Sequence, residues 1–346
     1  MMPIKSQFGN RILGGTNSPF VIAEMACAHD GSFDKAKALI EASVKANADA
    51  VQLQFFVPDE TVTPSHEAYT ILCDIAFSDA QWKELFDFGK QKGIQVFVCT
   101  YDVPSVKLAA SLGADGIKLN SSDLSNPEVL IEVAKSGIPL TLGTGASTME
   151  EIARGIATLE ENGAENIILM HGVQNFPTGI DDLNISRINL LRSVFPDYEV
   201  GYADHTEGGS EFSLKADLVA IGLGASVLEK HITLDRSEKG IDYQAALEPK
   251  EFEQYVNDVQ MAFRAFGTSK IKDFSASDLK YRKFQKKSIV ANRDLSEGSV
   301  LHRTDVKFVR NENPGLPPIE FSKIEGKILN SDIKENQNII LSIVKQ

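Results

Sequence analysis

The chain has 346 residues, too many for one ordinary small domain and enough for about two, or for one large barrel with an appendage. Hydrophobic residues make up 42% and charged residues 24%, the mix of a soluble globular protein, which excludes wholesale disorder and a multispanning membrane protein. A formal charge of −13, from 35 Lys and Arg against 48 Asp and Glu, opposes attraction to nucleic acid or anionic lipid, so neither is expected as a partner.

The opening segment, MMPIKSQFGNRILGG, lacks the apolar run of a secretory leader, and no stretch approaches the ~18 apolar residues of a membrane span. Short β-rich runs then alternate with amphipathic stretches at helical spacing. FVIAEM (20–25) precedes FDKAKALIEASVKANA, AVQLQFF (50–56) precedes SDAQWKELFDFGKQKG, IQVFVCTYD (94–102) precedes VPSVKLAASLGA, and GIKLNSSD (116–123) precedes NPEVLIEVAKSG. Four further pairs follow, led by PLTLGTGA (139–146), NIILMHG (166–172), EVGYADH (199–205) and VLEKHIT (227–233). Eight strand-then-helix pairs within about 250 residues predict a (β/α)8 TIM barrel, with a doubly wound open sheet as the rival. Glycines at LGADGI, NGAENI and LGASVL read as helix stops.

After residue 270 the pattern changes. IKDFSASDLKYRKFQKK, with five clustered cations, reads as a hinge, and short β-type runs broken by Gly, Pro, Asn and Asp follow it. The expected organisation is a barrel over 1–270, a linker over 271–284 and a small β-rich module over 285–346. Cys27, Cys73 and Cys99 have no CxxC spacing and lie in apolar runs, so buried reduced thiols and a cytoplasmic location are expected.

Residues at the strand ends of such a barrel converge on one mouth. They are Glu24, Gln52, Gln54, Thr100, Lys118, Ser121, Asp123, Thr144, His171, Asp204, His205, Glu229 and His231. His205 and His231 end adjacent strands and can reach one divalent ion, with Asp204 and Glu229 placed to orient the rings. Glu24 suits a ligand, substrate anchor or base. Lys118 suits an anionic substrate, a Schiff base or a structural ion pair. The turn LGTGAST resembles a backbone anion nest, although an ordinary capped turn explains it equally well.

VIAEMACAHDG, LGTGASTMEEI, GYADHT and especially LEKHITLDRSEKGIDYQAALEP resemble the sialic acid synthase family, whose members condense phosphoenolpyruvate with an N-acetylated hexosamine. SIVANRDLSEGSVLHRTDVKFVR resembles their carboxyl-terminal antifreeze-like (SAF) domain. The resemblance implies a TIM barrel followed by that small β-rich domain. It also implies a domain-crossed homodimer, and Mn2+ or Mg2+ on His205 and His231. Glu24 and Asp123 are implied as catalytic carboxylates, Asp242 as a sugar-hydroxyl ligand, and Arg310 as a sugar-acyl contact supplied by the partner. The implied product is a nine-carbon 2-keto-3-deoxy sugar acid.

Departures fall at the donor end. Gln52 stands where the family has lysine, Gly143 and Ala203 where it has serine, and Gln174 where it has asparagine. Phe176 and Ala246 remove hydroxyls near the sugar. Lys118, Thr100, Ser121 and the 143–147 amides remain to hold a phosphate, with Gln54 beside them at a strand end. Three readings follow: a synthase acting on a less polar sugar, a relative with a changed three-carbon donor, or a non-catalytic sugar-binding scaffold. A dehydrogenase lacks support, because no GxGxxG follows the first strand.

Overall fold

A computed structural model describes residues 7–267 and 273–345, and the chain divides into two compact units, Met1–Thr268 and Ser269–Gln346. In the first, strands β1 (Phe20–Glu24), β2 (Ala50–Phe55), β3 (Gln95–Thr100), β4 (Gly116–Leu119), β5 (Leu140–Gly143), β6 (Ile167–His171), β7 (Glu199–Asp204) and β8 (Val227–His231) form a closed parallel barrel. β8 closes it by pairing with both β7 and β1. Helices α1 (Phe33–Lys45), α2 (Asp79–Gln91), α3 (Val103–Leu112), α4 (Pro127–Ser136), α5 (Met149–Glu161), α6 (Arg187–Val194), α7 (Ala216–Gly222) and α8 (Pro249–Phe266) follow the strands in turn.

Local chemistry sets the helix ends. The side chains of Ser32, Ser78, Asp102, Asn126 and Thr148 accept from first-turn amides, and Gly113 and Gly137 end α3 and α4 with left-handed φ of 75° and 67°. Strand alternation sorts the side chains. Val21, Ala23 and Leu228 pack outward against the helices, while Phe20, Ile22 and Val227 fill the interior. The bottom is plugged by Phe8 from an amino-terminal hairpin, its ring centroid 5.2 Å from Phe20 and 4.9 Å from Phe97. The register sets His231 opposite Glu24, and Glu24 opposite Gln52.

The long connection between β2 and α2 carries two short helices, Pro58–Thr61 and Tyr69–Ile75, that hydrophobic periodicity does not announce. Cys73 lies on the second of these and is exposed, which corrects its expected burial; Cys27 and Cys99 are buried, and all three thiols are free. Among the described residues no helix is long and apolar enough to cross a membrane.

In the second unit β9 (Ser288–Ala291) pairs antiparallel with β10 (Val306–Val309) over a core of Ile289, Leu301, Ile324, Leu329, Ile333 and Ile339. Of the expected linker, residues 271 and 272 lie outside the described residues. Most of its remainder is helical: α9 (Ala276–Gln285) is started by a capping box between Ser275 and Asp278 and continued by long straight-chain residues that favour helix.

Candidate active site

Four strands send charged or amide side chains to one buried floor. The side chains of Glu24 on β1 and Glu229 on β8 are 0% and 1% exposed, and both bond the Lys118 ammonium from β4, whose Nζ lies 3.3 Å from Glu24 Oε2 and 2.5 Å from Glu229 Oε1. From β2, the Gln52 amide Nε2 donates to Glu24 Oε2 and, at 3.2 Å, to Glu229 Oε2. Glu24 Oε1 also accepts from the Ala26 amide at 2.6 Å. Burial pushes the Glu24 carboxyl up to about 7, Lys118 opposing and Glu229 reinforcing the shift. Burial alone would depress the Lys118 ammonium, but Glu229 and Glu24 outweigh it and hold its pKa above the ordinary value.

Above this floor stand the two imidazoles, with ring centroids 5.1 Å apart. His205 Nδ1 donates to the Val173 carbonyl at 2.6 Å, which leaves Nε2 unprotonated and free to ligate. Burial lowers the pKa of both rings, and His205 adds to the effect on His231, so both are neutral near pH 7. Donor atoms of His205, His231 and Glu229 lie within 4.8 Å of one another. Two neutral nitrogens and one carboxylate oxygen fit a borderline or hard divalent ion, so these residues are a candidate metal site.

Glu229 thus joins the histidines more directly than an orienting role implies. Asp204, expected to help orient the rings, does something else: it points outward, between strands and helices. There Lys230 bonds Asp204, Asp217 (3.2 Å) and the Ser213 carbonyl (2.6 Å), all three charged side chains being 0% exposed. Tyr202 donates to Asp204 at 2.7 Å and Tyr255 to Asp217 at 3.0 Å. The cause is the two-residue period of strands: Ala203 faces in, so Asp204 faces out.

A cavity of about 610 Å³ opens over the floor, and its lining includes Lys118, Ser121, Gln54, His205, His231 and Asp242. Asp242 holds a left-handed φ of 61°, and burial raises its carboxyl pKa against the opposing pull of Lys118. Thr100 lies beneath with a buried hydroxyl that has no partner, and Gln54 Oε1 accepts from the Cys27 thiol at 3.3 Å. Asp123 is not among the lining residues; Ser122 and Asn126 donate to it at 3.1 and 3.3 Å, tying it into its own turn. Arg310 is exposed and directly follows β10 in the second unit.

Sequence reasoning passed over the apolar walls Phe56 and Tyr101, just past strand ends, and Leu72, on the short Tyr69–Ile75 helix, none of which carries a chemical signature. Phe176 covers the histidines, its ring centroid 4.4 Å from His205 and 5.4 Å from His231. At the 143–147 turn, a Cβ on Gly143 would come 2.9 Å from the Ser121 amide nitrogen, so close backbone approach excludes any side chain there. A second cavity, of 730 Å³, borders Tyr198, Arg192 and Phe266 and shares no residue with this one.

Residues 39–271 match the model of the NeuB family, and residues 286–339 match the SAF domain. An uncharacterized protein of Methanocaldococcus jannaschii is 32% identical over 97% of both chains. The N,N'-diacetyllegionaminic acid synthase of Campylobacter jejuni is 30% identical over 92% of this chain and 98% of its own. A crystal structure of N-acetylneuraminic acid (sialic acid) synthetase from Leptospira borgpetersenii, in complex with citrate, superposes with a TM-score of 0.74 and 29% identity, covering 80% of this chain and 96% of that one. With a family match over two thirds of its length, the chain belongs to the NeuB family, and it is a carbon–carbon bond-forming transferase of the sialic acid synthase type with a carboxyl-terminal SAF domain.

Proposed function

We propose that the barrel condenses phosphoenolpyruvate with the open-chain aldehyde of an N-acylated hexosamine-type sugar, releasing phosphate and a nine-carbon 2-keto-3-deoxy sugar acid. The observation that carries this reading is the convergence of His205, His231 and Glu229 above a floor that holds Lys118 and Glu24, open to one cavity. A divalent ion, Mn2+ or Mg2+, fits the three ligating residues, and when bound it supplies Lewis acidity to the aldehyde oxygen.

C3 of the donor attacks the aldehyde carbon, water adds at the donor C2, and cleavage of the C2–O bond expels phosphate. Lys118, Ser121, Gln54 and the 143–147 turn hold the donor anion, with Thr100 supporting from below. Glu24, with its pKa near neutrality, receives the proton of the incoming water. Asp242 binds a sugar hydroxyl. Asp123 contributes through the turn that carries Ser121 and Ser122, since its carboxylate is already engaged there.

The walls Phe56, Leu72, Tyr101 and Phe176, with Ala246 in place of a hydroxyl residue, favour an acceptor bearing methyl and acetamido groups over a polyhydroxylated one. The diacetylated product named for the Campylobacter relative supports the same choice. The working assembly is a crossed homodimer in which Arg310 of one chain reaches the sugar's acyl group in the other. Charge supports it: Ser269–Gln346 carries 15 cations against 10 anions, net +5, while Met1–Thr268 carries 20 against 38, net −18. Free thiols suit a reducing cytoplasm.

The test is phosphate release from phosphoenolpyruvate with N-acetylmannosamine or 2,4-diacetamido-2,4,6-trideoxyhexoses, with and without Mn2+. Metal-dependent release with a diacetamido sugar supports the proposal. No release with any acceptor, despite bound metal and donor, overturns it.

A further inference from the structure

The floor under the histidines has an uneven charge balance. Two buried carboxylates, Glu24 and Glu229, share one ammonium, Lys118, and their other shared partner is the neutral Gln52 amide. Glu229 Oε1 faces the ammonium, whereas Glu229 Oε2 receives only the amide at 3.2 Å. Gln52 is itself fully buried, and its carbonyl Oε1 has no partner. Two carboxylates against one ammonium and one neutral amide leave the floor with more acidic groups than cations, buried where a carboxylate is costly without a counter-cation.

We propose that Gln52 sets the metal affinity of this site: as a neutral amide between Glu24 and Glu229, it leaves Glu229 Oε2 uncompensated beside His205 and His231, and so reserves that charge for a divalent ion. The inference rests on reading His205, Glu229 and His231 as a metal site. Gln52 is a positioning residue, since it touches the carboxylates and acts through Glu229. The same excess charge opposes an anionic donor until the cation is present, so donor binding depends on prior metal occupancy. Gln52 therefore trades donor affinity in the metal-free protein for metal affinity.

The experiment measures Mn2+ binding to the full-length protein by electron paramagnetic resonance and calorimetry, and phosphoenolpyruvate binding without metal, for wild type, Gln52→Lys and Gln52→Met. Gln52→Lys cancels the excess charge and is expected to weaken Mn2+ on the order of a hundredfold, while strengthening metal-free donor binding. Gln52→Met removes the hydrogen bonds but keeps the charge balance, and is expected to hold Mn2+ within about threefold. A general structural defect lowers both affinities, so the opposite signs are diagnostic. Mn2+ affinity in Gln52→Lys within about threefold of wild type, or an equal loss in Gln52→Met, overturns the inference. A wild-type protein that binds no Mn2+ overturns it together with the metal site; normal binding without turnover leaves this inference standing and sinks only the proposed reaction.

Discussion

Replacing Lys230 by Met removes the cation that joins Asp204 to Asp217, and the cost follows from burial. The ammonium and both carboxylates are 0% exposed. Met preserves much of the aliphatic stem, so the loss is electrostatic more than steric. Asp204 keeps donors from Tyr202 at 2.7 Å and Thr206 Oγ1 at 2.5 Å, and Asp217 keeps Tyr255 at 3.0 Å, but neither keeps a counter-charge among the described residues. Stranding a partner of a buried ion pair costs about 3–5 kcal/mol. Asp217, whose carboxyl burial already lifts to about 6, takes up a proton more readily than Asp204 and moderates the loss, so the lower end, about 3 kcal/mol, is expected. Urea unfolding at pH 7, followed by fluorescence and circular dichroism with an unchanged m-value, reads this directly. The triple change Lys230→Met, Asp204→Asn, Asp217→Asn should recover most of it. A loss under about 1 kcal/mol in the single variant would refute the reasoning, because it would mean that the carboxylates are solvated or already neutral.

Arg310→Ala should raise KM for the acceptor sugar about tenfold or more and leave Mn2+ binding unchanged, since a charged hydrogen bond is worth about 1.5–3 kcal/mol; wild-type acceptor kinetics would count against the crossed dimer. Gly143→Ser drives a Cβ to 2.9 Å from the Ser121 amide nitrogen, so it should cost about 1–3 kcal/mol in urea unfolding and weaken phosphoenolpyruvate binding, and a neutral result would show that the turn relaxes freely. His29 is fully buried and stacked 4.6 Å from Phe77, and burial lowers its pKa from 6.5 to about 4, with Asp30 opposing. The neutral ring is therefore favoured in the fold: stability is intact above pH 6.5 and declines as pH falls toward 4, by about 3 kcal/mol. His29→Phe should flatten that part of the profile, and an unchanged slope would dissociate His29 from acid lability.

The barrel is legible in the sequence because each strand is a short β-rich run followed by an amphipathic stretch, several of them opened by a capping side chain such as Ser32, Ser78 or Thr148. The convergence of Glu24, Lys118, His205 and His231 is legible for the same reason: parallel strands deliver their last residues to one mouth. What the sequence hides is of two kinds. Contacts between distant strands, such as Gln52 with Glu229, need the register and the inward or outward sense of each side chain. Asp204, next to a histidine in sequence yet on the other face of the sheet, shows how one position decides the outcome. Walls such as Phe56 and Leu72 carry no chemical signature, so only the folded connection between β2 and α2 brings them to the cavity.

The net charge of −13 stands against an anionic donor, and the barrel unit is more acidic still at −18. A site that takes phosphoenolpyruvate needs local positive charge, and on this floor Lys118 is already committed to Glu24 and Glu229. Its ammonium neutralises only one of the two carboxylates, so by itself it offers an incoming anion no net attraction. Two further sources remain within the proposed assembly. One is a divalent cation on His205, His231 and Glu229, which would add two positive charges above the floor. The other is the +5 carboxyl-terminal unit of a second chain, whose Arg310 serves the sugar end. On the proposed reading, the acidic barrel would recognise an anion through charge acquired on assembly and metal loading, and Gln52 would make that dependence steeper than a second lysine.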